Sequence, residues 1–267
     1  MALLKHLLPF LFFISCTVSL NAQQTDSSLA KLADTSRPVI LLQQPIVNKK
    51  PAGFKPFIVP AAMIAYGLIA IKSPALLDVN AFFKRKFWSD NPHNAWHGDN
   101  YLQFAPAAAV YALNIVGVHG KNNLRDRSMI YFISNIFLNV TVTSVKSLTK
   151  EERPDGSSNL SFPSGHTAEA FASAEFLRQE YKDVSGWYGV AGYVTATATG
   201  LLRMYNNKHW LSDVIAGAGV GIASTKLAYI VYPAIRKLLF KNSVSHTVVM
   251  PYYQNKTAGL SMLYNFH

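Results

Sequence analysis

Cysteine is almost absent from this chain. The one residue, Cys16, falls in the apolar N-terminal stretch, which rules out an internal disulfide. Acidic residues are scarce as well: 14 Asp and Glu stand against 25 Lys and Arg, a formal net charge of +11, and that imbalance favours anionic partners. The basic residues are scattered, with no basic helix and no recognised nucleic-acid motif, so nucleic acid is not the expected partner. Phosphorylated lipid and an acidic membrane surface fit better. Long uninterrupted apolar runs are few past residue 56: 57–71 is short, and 166–182 carries Glu169, Glu175 and Arg178, whereas a span needs about 20 mainly apolar residues. Repeats and low-complexity tracts are missing.

What is present begins with MALLKHLLPFLFFISCTVSLNAQQ. A lysine, an apolar run and a small-residue end make a secretory signal peptide, with cleavage expected after Ala22. A lipoprotein site at Cys16 fits less well because Phe13 is bulky, and an uncleaved anchor is the remaining alternative. Residues 23–56 are polar and proline-containing and read as an extended linker. Residues 57–240 form the expected helical domain, with helices near 57–72, 101–118, 127–149, 166–182, 187–204 and 209–235, and an amphipathic one over 76–90. The tail, 241–267, has β-prone runs HTVVM and LSMLY flanking the turn-rich QNKTAG, the pattern of a short hairpin. The expected fold is therefore all-α, an antiparallel bundle of about six helices with an appended β-hairpin, embedded in or associated with a membrane. Stretches such as VIAGAGVGIASTKLAYIVYPAI have the small-residue, apolar character of packed membrane helices. Topology raises a conflict. If an export signal leads and 57–71, 101–118 and 127–149 each span once, the polar clusters described next face the cytoplasm, so a helix is miscounted or does not span.

Three polar clusters lie in the second half: KSLTKEERP from Lys146 to Pro154, PSGH from Pro163 to His166, and RMYNNKHWLSD from Arg203 to Asp213. They contain the parts of a phosphate site. Arg153 and Arg203 offer planar forks for bidentate contact, and Lys146 a compact point charge. PSGH reads as a turn feeding a helix, whose orphan amides and positive dipole end attract an anion; Ser164 adds a hydroxyl and Gly165 permits close approach, making both phosphate ligands. His209 and Asp213 are four apart, one turn on one helix face. The carboxylate can then hold one ring nitrogen and leave the other as a lone pair able to attack phosphorus. Neither metal nor cofactor is required by this set. His93 and His97 share an i, i+4 spacing that suggests metal ligands, but Pro92 and Gly98 argue for a loop and no third His or Cys is near. Lys150, Glu151 and Glu152 read as a solvated helix end, 155–158 as a turn, and Tyr205 and Trp210 as packing or groove-lining residues.

The three clusters resemble the signature of the type 2 phosphatidic acid phosphatase and vanadium haloperoxidase superfamily, K-x6-RP, PSGH and SR-x5-H-x3-D. The resemblance covers about residues 55–235. It departs at Leu202, which stands where the family has serine. The resemblance implies that His209 forms a phosphohistidine, that His166 protonates the leaving oxygen, and that the three cations with Ser164 and Gly165 hold the phosphate. The expected activity is a metal-independent phosphatase of the cell envelope acting on a lipid phosphate or diphosphate, with an exported active site. The alternatives are a soluble periplasmic acid phosphatase, a vanadium haloperoxidase, for which nothing in the sequence favours halide oxidation, and a non-catalytic phosphate-binding membrane protein.

Overall fold

A computed structural model describes residues 53–90, 93–239, 247–254 and 257–264. The expected signal peptide, the linker up to residue 52 and the remainder of the tail lie outside the described residues. After a short 3-10 turn the helices run α1 (Ile58–Ala70), α2 (Pro74–Lys84), α3 (Asp99–Leu102), α4 (Ala105–Ile115), α5 (Leu124–Thr149), α6 (Gly165–Tyr181), α7 (Gly186–Tyr205) and α8 (Leu211–Leu239). A single π-helical turn, Arg85–Ser89, extends α2. Strands β1 (Thr247–Gln254) and β2 (Thr257–Tyr264) pair antiparallel in register Thr247 to Tyr264 through Gln254 to Thr257, which is the expected hairpin.

Local chemistry sets most helix limits. Pro74 and Pro106 occupy first-turn positions of α2 and α4, where a missing N–H costs nothing. Asn123, Ser164 and Ser185 cap α5, α6 and α7, each accepting a backbone N–H with its side chain. Pro106 also explains a departure from expectation. The continuous helix over 101–118 is instead the one-turn α3 and the separate α4, and α4 stops before Gly117, whose φ is +91°.

Length decides what can cross a bilayer. α5 and α8 are long and apolar enough, at about 1.5 Å per residue, to span a hydrocarbon core. Lys55–Ala70 with Pro74–Ser89 passes that test only as a pair bent by 95°, and α4 has 11 residues. Phe132, Ile136 and Val140 form an exposed apolar stripe along α5 at four-residue spacing, a lipid-facing surface. The conflict over topology thus has a structural origin: of the three stretches, 127–149 alone falls within an unbroken helix of spanning length.

α6 lies at the centre, touching α4, α5, α7 and α8. Its acidic residues, which weigh against a lipid-facing span, are turned inward. Glu175 binds Arg178 and Lys226, Glu180 accepts from Asn122 and Tyr229 and faces Arg127, and Glu169 accepts from Tyr131. Such buried charges persist because each is paired or hydrogen-bonded. Small residues let α8 approach α6 closely: a Cβ on Gly217 would come within 2.5 Å of the Ser164 carbonyl oxygen, and one on Gly221 within 2.1 Å of the Ala168 carbonyl oxygen. Alternating helix directions then bring the end of α5, the start of α6, the end of α7 and the start of α8 to one end of the bundle.

This contact makes a prediction. Gly221→Ala should lower the unfolding temperature of the detergent-solubilised protein, by an overpacking cost of about 1–3 kcal/mol or more. Gly186→Ala, where a Cβ meets nothing within 4 Å, should leave it unchanged or slightly raised. Equal melting temperatures for the two variants would show that α8 can shift away from α6 without penalty.

Candidate active site

At the end of the bundle where the three motifs meet, the chain folds around one carboxylate. Asp213 sits in the first turn of α8 and is fully buried; its Oδ2 accepts from the Trp210 backbone N–H at 3.0 Å, from Ser161 Oγ at 2.5 Å and from His209 Nδ1 at 3.1 Å. The Asp213 backbone carbonyl accepts the Ser164 N–H at 3.0 Å, which fastens PSGH to the third motif. His209 itself precedes α8 rather than sharing its face, because Asp213 is spent partly on capping the helix through Trp210 N–H. The i, i+4 contact expected from a helix is therefore made across a helix start.

Nδ1 donating to Asp213 leaves Nε2 with the lone pair. Ser161 Oγ also lies 3.4 Å from Nδ1, so the ring edge is gripped from two sides. Burial pushes His209 down to about 4, only partly countered by Asp213. The ring is neutral over the physiological range. His166, partly exposed at the first turn of α6, is also pushed down to about 4, first by desolvation and then by Arg203. Its Nε2 lies 2.8 Å from Asn100 Oδ1.

The cations converge from different elements. Lys146 at the end of α5 donates to the carbonyls of Leu160 (2.5 Å) and Ser161 (3.1 Å), two of its three protons. Arg203, near the end of α7, forms a very short ion pair with Asp99, both buried. Six buried side-chain atoms lack a hydrogen-bond partner among the described residues. Five belong to this cluster: Arg153 Nε, Arg203 Nε, Asp99 Oδ1, Asp213 Oδ1 and Glu151 Oε2. Unsatisfied buried groups are rare in folded proteins and call for a reason. Here two of them are guanidinium donors beside a histidine aligned by a carboxylate.

Several expectations change in detail. The Ser164 hydroxyl is turned into the cap, 3.4 Å from the Thr167 N–H and 2.9 Å from Thr167 Oγ1, so its hydroxyl is engaged within α6. Gly165 has ordinary room, its nearest neighbour for an added Cβ being Val142 at 3.8 Å. Glu151 is no solvated helix end: burial, and then the charge of Asp213, pushes it up to about 7. The chain leaves α5 with Lys150 in the left-handed region, φ 49°, which turns Glu151 back toward the site. His93 stacks on Tyr205 with centroids 3.6 Å apart and bonds its carbonyl. Among the described residues no group of three His, Cys, Asp or Glu is gathered for a metal. Trp210 donates to the Glu152 carbonyl under Lys84, so it packs. Asp155 is lowered to about 2, since donors from Lys208 and Ser157 outweigh a burial effect that would raise it, and the Lys208 pair closes the first motif on the third.

Sequence reasoning passed over Ser161, Asp99, Asn100 and Glu151. Ser161 alone had a usable signal, its place two residues before PSGH. A groove of about 700 Å³ lies elsewhere, along α6 and α7 between Arg178 and Leu201. Its walls are apolar, unlike the phosphate-type chemistry gathered at the other cluster.

Residues 127–237 match the family model of the PAP2 superfamily. Over 160 residues the chain is 35% identical to a lipid A 1-phosphatase of Porphyromonas gingivalis; the match takes in 60% of this chain and 35% of that protein, so the chain spans about a third of that relative's length. Among solved structures, Aquifex aeolicus LpxE aligns at 21% identity and TM-score 0.39, over 62% of this chain and 92% of its own. A transmembrane PAP2-type phosphatidylglycerolphosphate phosphatase of Bacillus subtilis aligns at 18% and 0.45, over 66% and 97%. The segment that is similar to the PAP2 superfamily holds His209, Asp213, His166, Ser161, Ser164, Lys146, Arg153 and Arg203.

Proposed function

We propose that the protein is a phosphatase hydrolysing a lipid phosphate or diphosphate through a phosphohistidine at His209. The observation that carries this reading is the pair of buried, unpartnered guanidinium donors, Arg153 Nε and Arg203 Nε, gathered around a neutral histidine aligned by Asp213. A phosphoryl group supplies the oxygens these donors lack. The apolar spanning helices and the likeness to a protein named lipid A 1-phosphatase support a lipid as the bearer of that phosphate. We place the enzyme in the cell envelope with its catalytic end on the exported side, in keeping with the signal-like N-terminus.

In the first step His209 Nε2 attacks phosphorus and the P–O bond to the lipid breaks. The leaving oxygen takes a proton from His166, while Arg153, Arg203, Lys146 and the amides at the start of α6 stabilise the three equatorial oxygens. Gly165, at that helix start, and Ser164, through its backbone, shape the phosphate cradle. Water then attacks phosphorus and gives its proton to His166 while the P–N bond breaks, which returns the lone pair to His209 Nε2 and releases inorganic phosphate. Ser161 and Asp213 hold the attacking ring throughout.

His209→Ala should abolish phosphate release from lipid phosphates, and acid-labile, alkali-stable labelled phosphoenzyme should form in the wild type alone. Asp213→Asn should slow turnover by up to about 10⁴-fold, the cost of a wrong tautomer in a comparable triad. Normal turnover by purified His209→Ala would sink the covalent route.

The pH dependence follows from the two histidines. The free enzyme needs His209 neutral, which holds above about 4, and His166 protonated, which is lost as pH rises past about 4. Ionisation of Glu151 near 7 then adds a further negative charge. All this predicts a kcat/KM profile with an acidic optimum that falls through neutrality. A bound phosphate raises His166, so the alkaline limb of kcat should lie at higher pH than that of kcat/KM. A kcat/KM still rising toward pH 9 would contradict these roles.

Arg153 and Arg203, joined by Lys146 below about pH 8, to which burial lowers it, supply the positive charge that divalent ions provide at other phosphoryl-transfer sites. Chelator should therefore leave activity unchanged and vanadate should inhibit competitively. Loss of activity in chelator with recovery on adding Mg²⁺ or Zn²⁺ would overturn the metal-free mechanism.

A further inference from the structure

The segment 93–104 lies outside all three motifs, yet it is fastened to the end of α7 with unusual specificity. The His93 ring stacks on Tyr205 and its Nε2 bonds the Tyr205 carbonyl. Trp96 and Asn206 exchange two hydrogen bonds: Trp96 N–H to Asn206 Oδ1 at 2.9 Å and Asn206 Nδ2 to the Trp96 carbonyl at 2.8 Å. Gln103 Nε2 donates to the Asn100 carbonyl at 2.9 Å, closing the turn from within. These contacts fix α3, and α3 presents two consecutive side chains to two different motifs. Asp99 grips Arg203 of the third, and Asn100 touches His166 of the second.

We propose that Asp99 and Asn100 complete the active site, Asn100 as the positioning residue that holds the His166 imidazole for proton donation, and Asp99 as the positioning residue that orients the Arg203 guanidinium. The inference rests on the reading of His166 as the acid. An amide oxygen can only accept, so its contact at 2.8 Å selects the tautomer with a proton on Nε2 and keeps that proton at the outer edge of the cluster. An arriving leaving-group oxygen then competes with Asn100 for the same N–H. Asp99, spending one carboxylate oxygen on Arg203 Nη1, leaves Nε of that guanidinium for the phosphate. A neutral partner at position 100 also has a consequence for charge. The groups acting on His166 are Arg203 from α7, Asp99 from α3, Arg153 from the loop after α5 and Lys146 from α5. Three of these four are cationic, and Asn100 adds no carboxylate to offset them.

The test uses full-length protein in detergent with a lipid phosphate and with an aryl phosphate whose leaving group needs no proton. Asn100→Asp, nearly isosteric and at an exposed position, sets a carboxylate against the imidazole. It should move the alkaline limb of kcat/KM upward by about 1–3 pH units. Asn100→Leu should lower kcat on the lipid at least tenfold with KM little changed, and leave the aryl phosphate rate near wild type. Asp99→Asn should instead weaken inhibition by inorganic phosphate or vanadate. An unmoved limb in Asn100→Asp, or equal slowing of both substrates by Asn100→Leu, overturns the inference. His166→Ala separates it from the reading beneath: if that variant spares the aryl phosphate while the Asn100 variants show no selectivity, this inference alone fails. If His166→Ala is itself indifferent to the leaving group, His166 is not the acid and both fail.

Discussion

One buried carboxylate oxygen organises the end of the bundle where the three motifs meet. Asp213 Oδ2 receives a backbone N–H from the start of its own helix, a hydroxyl from the loop before PSGH and the Nδ1 edge of His209. The donors come from two places, His209 and Trp210 just before α8 and Ser161 in the loop before PSGH, so the oxygen ties the helix start to that loop. A polar group at zero exposure persists when hydrogen bonds replace its lost hydration, and Oδ2 has three donors while Oδ1 has none among the described residues. Lys146 supplies positive charge nearby and also holds the carbonyl of Ser161, so the charge that balances Asp213 fixes the hydroxyl that binds it.

That arrangement depends on backbones coming closer than side chains normally permit. Gly217 lets α8 lie against the Ser164 carbonyl, and Ser164 in turn gives its N–H to the Asp213 carbonyl. The small-residue seam lets the two helices pack closely and also sets the separation between the start of α6 and the His209–Asp213 pair. The same bundle hides a second polar set at the opposite end, Arg127 with Glu180 and Asn122. There the groups largely satisfy one another, with Arg127 Nη1 alone unpartnered. Around His209 two guanidinium donors, Arg153 Nε and Arg203 Nε, stay unpartnered among the described residues, and only donors of that kind can receive an anion.

How much was legible beforehand varies with the range of the determining force. Helix starts at Ser164, Ser185 and Pro74 follow from capping and ring constraints within a few residues, and they fall where the sequence indicates. The hairpin of β1 and β2 was readable for the same reason. The break between α3 and α4 was missed because the apolar pattern of 101–118 is continuous, while Pro106 restarts the helix. His209 and Asp213 were paired correctly, although their contact crosses a helix start and not a helix face. Glu151 was misjudged, since its burial comes from a left-handed turn at Lys150 that no charge pattern encodes.

The sequence by itself determined which groups are available: three basic side chains, two histidines and a carboxylate at separations that adjacent antiparallel helices can bring together, and enough apolar length in α5 and α8 for a membrane. Residue type and short spacing suffice for that, because capping, periodicity and charge act locally. Only the tertiary structure decided which partner each group meets. It gave Ser161 to Asp213, Asp99 to Arg203 and Asn100 to His166 across separations of 52, 104 and 66 residues. Such contacts are set by how helices pack and by where a loop is fastened. Nothing in the neighbourhood of either residue along the chain announces them.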